Sequence, residues 1–295
     1  MGRLTSSVVA LFLTHALAVS GCDSNSGPGV TPAPGISNDG GAEPSTPSGE
    51  VETSTKTLSF GGQTRKYVIS VPVDLDAARK YPLVMVLHGS PGTAESMRGA
   101  FPFEPTSKGA AIVVYPNALG QDWDLYGLNP NVDMEYLKAL VGEIAKTLPV
   151  DEARVFGTGW SGGGFFVSQT ACRFGGVFRA IAIHAGGAPD ESADPAAKKD
   201  ADGFFVCPGG PLAVLVVHGL DDTTVSPDSG EFAAAHWAHV DGCGAELSDA
   251  TPSPCKDYKG CPAATPVRVC RVPGVGHPMW KEGHAASWAF FEALP

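Results

Sequence analysis

Positive charge is scarce in this chain: 20 lysines and arginines stand against 31 aspartates and glutamates, for a formal net charge of −11. So acidic a protein has no general attraction for phosphate backbones, and nucleic acid is excluded as a partner. The apolar run from Val8 to Val19 is too short to span a bilayer comfortably and has the length of a signal-peptide core. There is no G-x-x-x-x-G-K loop and no G-x-G-x-x-G opening a helix after the first parallel strand, so nucleotide chemistry is unsupported. No internal repeat is present. The 7 cysteines include no C-x-x-C pair and no local His-x-x-x-His accompanies them, which argues against zinc. Neither a metal nor an organic cofactor is expected.

What the chain does carry begins with an export signal. Arg3 precedes the apolar run, which ends in Leu17-Ala18-Val19-Ser20-Gly21-Cys22. That ending resembles a lipoprotein lipobox and implies removal of residues 1–21, lipidation of Cys22, and membrane contact only through this anchor. An ordinary secretory signal cut nearby is the alternative, and either route exports the protein. Residues 23–56 hold no aromatic side chain and are dominated by Pro, Gly, Ser, Thr and Asp. They cannot bury enough apolar surface to offset ordering entropy, so 22–56 reads as a flexible tether before a catalytic domain at 57–295. With Cys22 set aside, six cysteines remain, an even set that reads as disulfides in an oxidising compartment.

From residue 57 short apolar runs alternate with helical patterns. Thr57–Phe60 and Lys66–Val71 flank Gly61-Gly62 and suggest a hairpin. Buried-strand patterns follow at Leu83–Leu87, Ala111–Tyr115, Arg154–Phe156, Ala180–His184, Leu212–Val217 and Val267–Val272. Helices are expected at about 133–147, 162–174, 229–240 and 281–293. The alternation predicts a doubly wound α/β fold, a mostly parallel central sheet with helices on both faces. Ligands of such sheets sit beyond the carboxyl ends of the strands, where each motif below falls.

Gly159-Trp160-Ser161-Gly162-Gly163 fits the G-x-S-x-G pattern of a nucleophile elbow. With 37 glycines in the chain the pentapeptide alone is weak, but it lies between a strand and a helix, the context the elbow requires. Three glycines, 162 to 164, in a first helical turn call for close packing of helix on sheet. A serine hydroxyl needs a base oriented by a carboxylate, in the chain order nucleophile, acid, base. The acid falls in His218-Gly219-Leu220-Asp221-Asp222-Thr223-Thr224-Val225, where Asp221 and Asp222 compete. Among the later histidines, His277 sits on the glycine-rich loop after the last strand, whereas His236, His239 and His284 lie on helical stretches and suit packing. Backbone N–H groups of Gly162 and of Ser90, in His88-Gly89-Ser90-Pro91-Gly92, are candidates for an oxyanion hole; Pro91 has no N–H to give. His88 is expected to brace that loop. Trp123, Trp160 and Trp280 are candidates for an apolar platform under the substrate, with core packing as the alternative.

On these segments, with Leu83-Val84-Met85-Val86-Leu87-His88-Gly89 and Pro273-Gly274-Val275-Gly276-His277-Pro278-Met279-Trp280, the chain resembles the secreted α/β-hydrolase esterase family that contains polyhydroxybutyrate depolymerases, feruloyl esterases and acetylxylan esterases. The resemblance covers about residues 57–295 and implies a serine carboxylic ester hydrolase working through an acyl-enzyme, without cofactor, on an ester substrate that is a polysaccharide ester or a polyester. Its His-Gly-x-x-Asp-x-x-Val pattern puts the acid on Asp222. Asp133 matches a family residue expected to cap or brace the helix before the elbow strand. Relatives carry Trp-Pro-Gly after the histidine, where this chain has Pro278-Met279-Trp280. The resemblance also pairs Cys243 with Cys261; Cys172 and Cys207 are candidates for a second bridge, leaving Cys255 and Cys270. Feruloyl or acetyl esters are the leading substrates and hydroxyalkanoate polyesters the runner-up. A non-catalytic hydrolase-fold binding lipoprotein is the rival from another class.

Overall fold

A computed structural model of the chain describes residues 48–127, 130–189 and 198–295. The expected leader, Cys22 and the tether up to residue 47 lie outside the described residues.

The first hairpin pairs β1 (Val51–Phe60) with β2 (Gln63–Pro72), turning at Gly61 and Gly62 with φ of 58° and 75°. Such positive φ values cost a residue without a side chain nothing. Residues 51–56, assigned above to the tether, belong to this strand. Their Val-Glu-Thr-Ser-Thr-Lys composition is that of an exposed edge strand, whose β-branched Thr and Val residues pair well without burying a full face.

The remaining strands are β3 (Tyr81–Leu87), β4 (Ile112–Pro116), β5 (Val150–Trp160), β6 (Ala180–His184), β7 (Ala213–Gly219), β8 (Leu247–Asp249), β9 (Cys255–Tyr258) and β10 (Val267–Val272). Among the described residues they form one sheet in the order β1-β2-β4-β3-β5-β6-β7-β10-β9-β8. The middle six, from β4 to β10, are parallel, and antiparallel strands finish both edges. Every residue of β3, β4, β6 and β7 is buried, which explains their unbroken apolar runs: both faces of these strands are covered. One face packs on α3 (Val132–Ala145), α4 (Gly162–Phe174) and α5 (Pro227–Val240), the other on α1 (Ala94–Ala100) and α6 (Gly283–Glu292). The short α2 (Glu104–Ser107) follows α1.

Three disulfides staple this frame. Cys172–Cys207 ties α4 to the segment leading into β7, and Cys243–Cys261 closes the excursion after α5. Cys255–Cys270 links directly opposed residues of β9 and β10. The excursion at 241–265 is thus a ribbon that extends the sheet past β10. The trio Cys172, Cys207 and His236 brings three metal-ligating atoms together, but both sulfurs are spent on each other.

Asp241, at the end of α5, accepts the Leu212 N–H at 3.0 Å through Oδ1, while its buried Oδ2 has no hydrogen-bond partner. Burial pushes its carboxyl up to about 8, against the pull of the Leu212 bond. Burial pushes three histidines the other way, His184 to about 3, His236 to about 4 and His284 to about 4. The signs separate the two effects. The histidines favour unfolding as pH falls below about 6.5, because the unfolded chain then binds more protons. Asp241 keeps its proton only when folded, so its contribution to stability is lost progressively as pH rises from about 4 to about 8. Between about pH 6.5 and 8 only the Asp241 effect remains. Asp241→Asn keeps the acceptor for Leu212 and cannot ionise. Its Tm should therefore stay nearly flat over that window, whereas wild-type stability falls by up to about 1.4 kcal/mol per pH unit. Calorimetric Tm values at pH 6.5, 7.2 and 8 would show this; parallel slopes in the two proteins would refute it.

Candidate active site

The elbow forms because β5 runs straight into α4 with one residue to make the turn. Ser161 has φ 54° and ψ −121°, a region a non-glycine residue occupies only when its surroundings hold it there. Those surroundings are specific. The Ser161 N–H donates to the His184 carbonyl at 2.9 Å, and its own carbonyl accepts the Phe165 N–H at 3.0 Å. The glycines behind it permit close approach: a Cβ on Gly163 would stand 2.4 Å from the His88 carbonyl oxygen, and one on Gly162 only 2.3 Å from Ser90 Oγ. The helix can therefore press its first turn against the end of β3, as the glycine cluster predicts.

Ser161 Oγ lies 3.0 Å from His277 Nε2, and His277 Nδ1 lies 2.9 Å from Asp222 Oδ2. Asp222 Oδ1 accepts the backbone N–H groups of Thr224 at 2.8 Å and Val225 at 3.0 Å. Burial pushes the Asp222 carboxyl upward, but the hydrogen bond from His277 and these two N–H donors outweigh it and hold the group below the ordinary carboxylate range. Asp222 is therefore a carboxylate at neutral pH. It accepts a hydrogen bond from His277 Nδ1–H, which fixes the proton on Nδ1 and leaves Nε2 with a lone pair to accept the Ser161 hydroxyl proton. The structure brings together Ser161, Asp222 and His277. Asp221, the competing carboxylate, is exposed, and its backbone N–H bonds the Val275 carbonyl.

Ser90 and Gly162 face each other across the elbow. A Cβ on Gly162 would lie 3.2 Å from the Ser90 nitrogen, so the two backbone N–H groups expected to serve an oxyanion share one small region. Behind Ser90, His88 accepts the Ala118 N–H at 3.1 Å on Nε2, so its Nδ1 carries the proton and donates to the Gly89 carbonyl at 2.7 Å. Burial lowers its pKa despite that bond and the acidic groups nearby, and the ring is neutral. His88 braces the loop, as expected.

The tryptophan platform needs correction. Trp123 is 4% exposed: it stacks on His88 and Phe166 with ring centroids 4.8 and 4.9 Å away, and its Nε1–H donates to the His88 carbonyl at 2.8 Å. It supports the oxyanion loop from within and offers no surface to a substrate. Trp160 does reach the site, but as a brace. Its Nε1–H donates to the His277 carbonyl at 2.8 Å, its ring lies 5.2 Å from that imidazole, and Phe101 packs on it at 5.4 Å. Trp280 is half-buried against the core on the α6 side.

Asp133 is a brace but not the cap. Its carboxylate pairs with buried Arg65 at 2.6 Å and accepts the Asp124 N–H at 3.0 Å, while Asn131 caps α3. His284 donates to the Phe101 carbonyl, His236 packs beside Cys207, and His239 pairs with Asp200, so all three stand apart from the Ser161–His277–Asp222 chain. One neighbour went unread: His218, the first residue of the acid motif, has Nε2 at 3.3 Å from Asp222 Oδ2.

No family model matches the chain. It is 27% identical over 259 residues to a protein named probable feruloyl esterase C from Aspergillus terreus, covering 80% of this chain and 87% of that one. It is 28% identical over 249 residues to feruloyl esterase C of Emericella nidulans, covering 78% and 84%. Among solved structures, the acetyl xylan esterase from Aspergillus awamori superposes with a TM-score of 0.65 at 17% identity, over 82% of this chain and all of that one. The fold is that of the α/β-hydrolases.

Proposed function

We propose that this chain, a carboxylic ester hydrolase of the α/β-hydrolase fold, is an exported serine esterase acting through an acyl-enzyme on feruloyl or acetyl esters of polysaccharide. The observation that carries the reading is the unbroken hydrogen-bonded chain Ser161–His277–Asp222, set on an elbow whose backbone is held at φ 54°. In the acylation step His277 removes the Ser161 proton as Oγ attacks the ester carbonyl. The Ser90 and Gly162 N–H groups receive the oxyanion, and Asp222 stabilises the imidazolium. The imidazolium then gives its proton to the departing alkoxide. Water, deprotonated by the same ring, attacks the acyl-enzyme and releases the acid.

The three disulfides support an oxidising compartment. Anchorage through Cys22 is the finer part of the reading and rests on the sequence from Leu17 to Cys22. A pocket of about 300 Å³ beside the first turn of α4, lined by Phe165, Phe205 and Phe232 with Lys199 and Ser229 but by none of the triad, offers aromatic walls of the kind a feruloyl group would use.

Two p-nitrophenyl esters with a common leaving group, ferulate and acetate, separate the acyl preferences; acetylated xylan and hydroxybutyrate oligomers test the polymeric substrates. The expected result is the highest kcat/KM on the ferulate, with hydrolysis of acetylated xylan above that of the hydroxybutyrate oligomers. Faster turnover of the oligomers than of both the ferulate and acetylated xylan would move the function to polyester degradation.

A further inference from the structure

We propose that His218 is a positioning residue for the reaction, a second imidazole that shares the Asp222 carboxylate with His277. The inference rests on the serine esterase reading above and concerns how its acid is tuned. The His218 side chain is 4% exposed and that of Asp222 is fully buried, so their approach takes place away from solvent. His218 Nε2 lies 3.1 Å from the Val225 carbonyl oxygen, which can only accept, so Nε2 carries the proton. That same nitrogen lies 3.3 Å from Asp222 Oδ2, the oxygen that receives His277 Nδ1–H. The Nε2–H is hydrogen-bonded to the Val225 carbonyl, and the same N–H edge stands against the carboxylate at 3.3 Å. The opposite nitrogen, Nδ1, is buried without a hydrogen-bond partner, which leaves this tautomer as the one that satisfies any partner.

The fold makes room for this ring at some expense. A Cβ on Gly230 would stand 2.5 Å from His218 Nδ1, so α5 passes the imidazole only because it has a glycine there. The neighbouring charges are already paired. Arg271, which lies beside His218 in the β7–β10 register, forms a two-pronged ion pair with Glu231 of α5, and Asp222 is the carboxylate within reach of the His218 ring.

The consequence is electrostatic as well as mechanical. With Val225, His218 ties the 222–225 turn to β7 and fixes which carboxylate oxygen faces His277. Its N–H also draws on the electron density of Oδ2, so that Asp222 stabilises protonated His277 less than it would alone. Removing the donor should therefore alter the pH dependence of the reaction and loosen the alignment of the base together.

The test compares His218→Phe, which fills the same space without a donor, with His218→Gln, whose side-chain amide can donate from nearly the same point. The measurement is the pH profile of kcat and KM on p-nitrophenyl acetate with the full chain. His218→Phe should move the acid limb of kcat/KM upward by about half a pH unit and lower kcat several-fold at unchanged KM, and His218→Gln should return the limb toward the wild type. An acid limb that stays in place in an active His218→Phe enzyme, or a Gln variant that behaves as Phe does, overturns the proposal. If the Phe variant does not fold, His218→Ala supplies the same comparison. Retention of activity by Ser161→Ala would instead overturn the underlying serine reading, a separate and earlier failure.

Discussion

Ser161→Ala should lower kcat on p-nitrophenyl acetate by about 10⁴ to 10⁶-fold while Tm stays close to that of the wild type. The size of the loss follows from the chemistry. Without Oγ no acyl-enzyme can form, and what remains is the modest help that an oxyanion site and substrate binding give to attack by water. The fold should survive because the hydroxyl makes one bond, to His277, whereas the elbow is held by backbone groups: the Ser161 N–H on His184 and the Ser161 carbonyl under Phe165. The alanine variant keeps the strained backbone along with those bonds. Activity within tenfold of the wild type, in protein with an unchanged melting curve, would remove Ser161 from the mechanism.

Asp222→Asn should cost about 10⁴ in kcat at neutral pH. The Asn side chain fits the same space and its oxygen can still accept from Thr224 and Val225. Its amide then presents N–H groups to His277 Nδ1. The imidazole must turn to the tautomer with the proton on Nε2, where it can no longer accept the serine proton at 3.0 Å. The effect should fall on kcat far more than on KM, and steady-state kinetics on a soluble ester reads that split directly. An equal loss from Asp221→Asn would show that the acid had been assigned to the wrong neighbour.

The centre of the sheet and the serine–histidine pair were legible in the chain because short-range signals determine them. Unbroken apolar runs marked β3, β6 and β7, and an elbow followed by an ordered acid and base marked the site. The choice between Asp221 and Asp222 was not legible from composition. It depends on which side chain can turn back to accept the N–H groups of Thr224 and Val225, and only the family pattern pointed to it. Trp123 was misread because burial is a tertiary property: nothing in a loop sequence tells whether an indole faces outward or folds in beneath His88. β8 and β9 were missed because three- and four-residue strands carry too little pattern, and only β9 has a cysteine to mark it. The first six residues of β1 were missed because an exposed edge strand and a polar linker have nearly the same composition.

The ribbon beyond β10 bears on how the protein can be made. β10 is the last strand of the parallel block, and among the described residues its outer row of amide and carbonyl groups is paired by β9, clipped to it through Cys255–Cys270. Reduction would leave that ribbon held by a few ladder bonds, and its detachment would expose an unpaired strand edge, the kind of template on which chains stack into insoluble material. Soluble yield in a heterologous host should therefore depend on whether the chain folds in an oxidising or a reducing compartment.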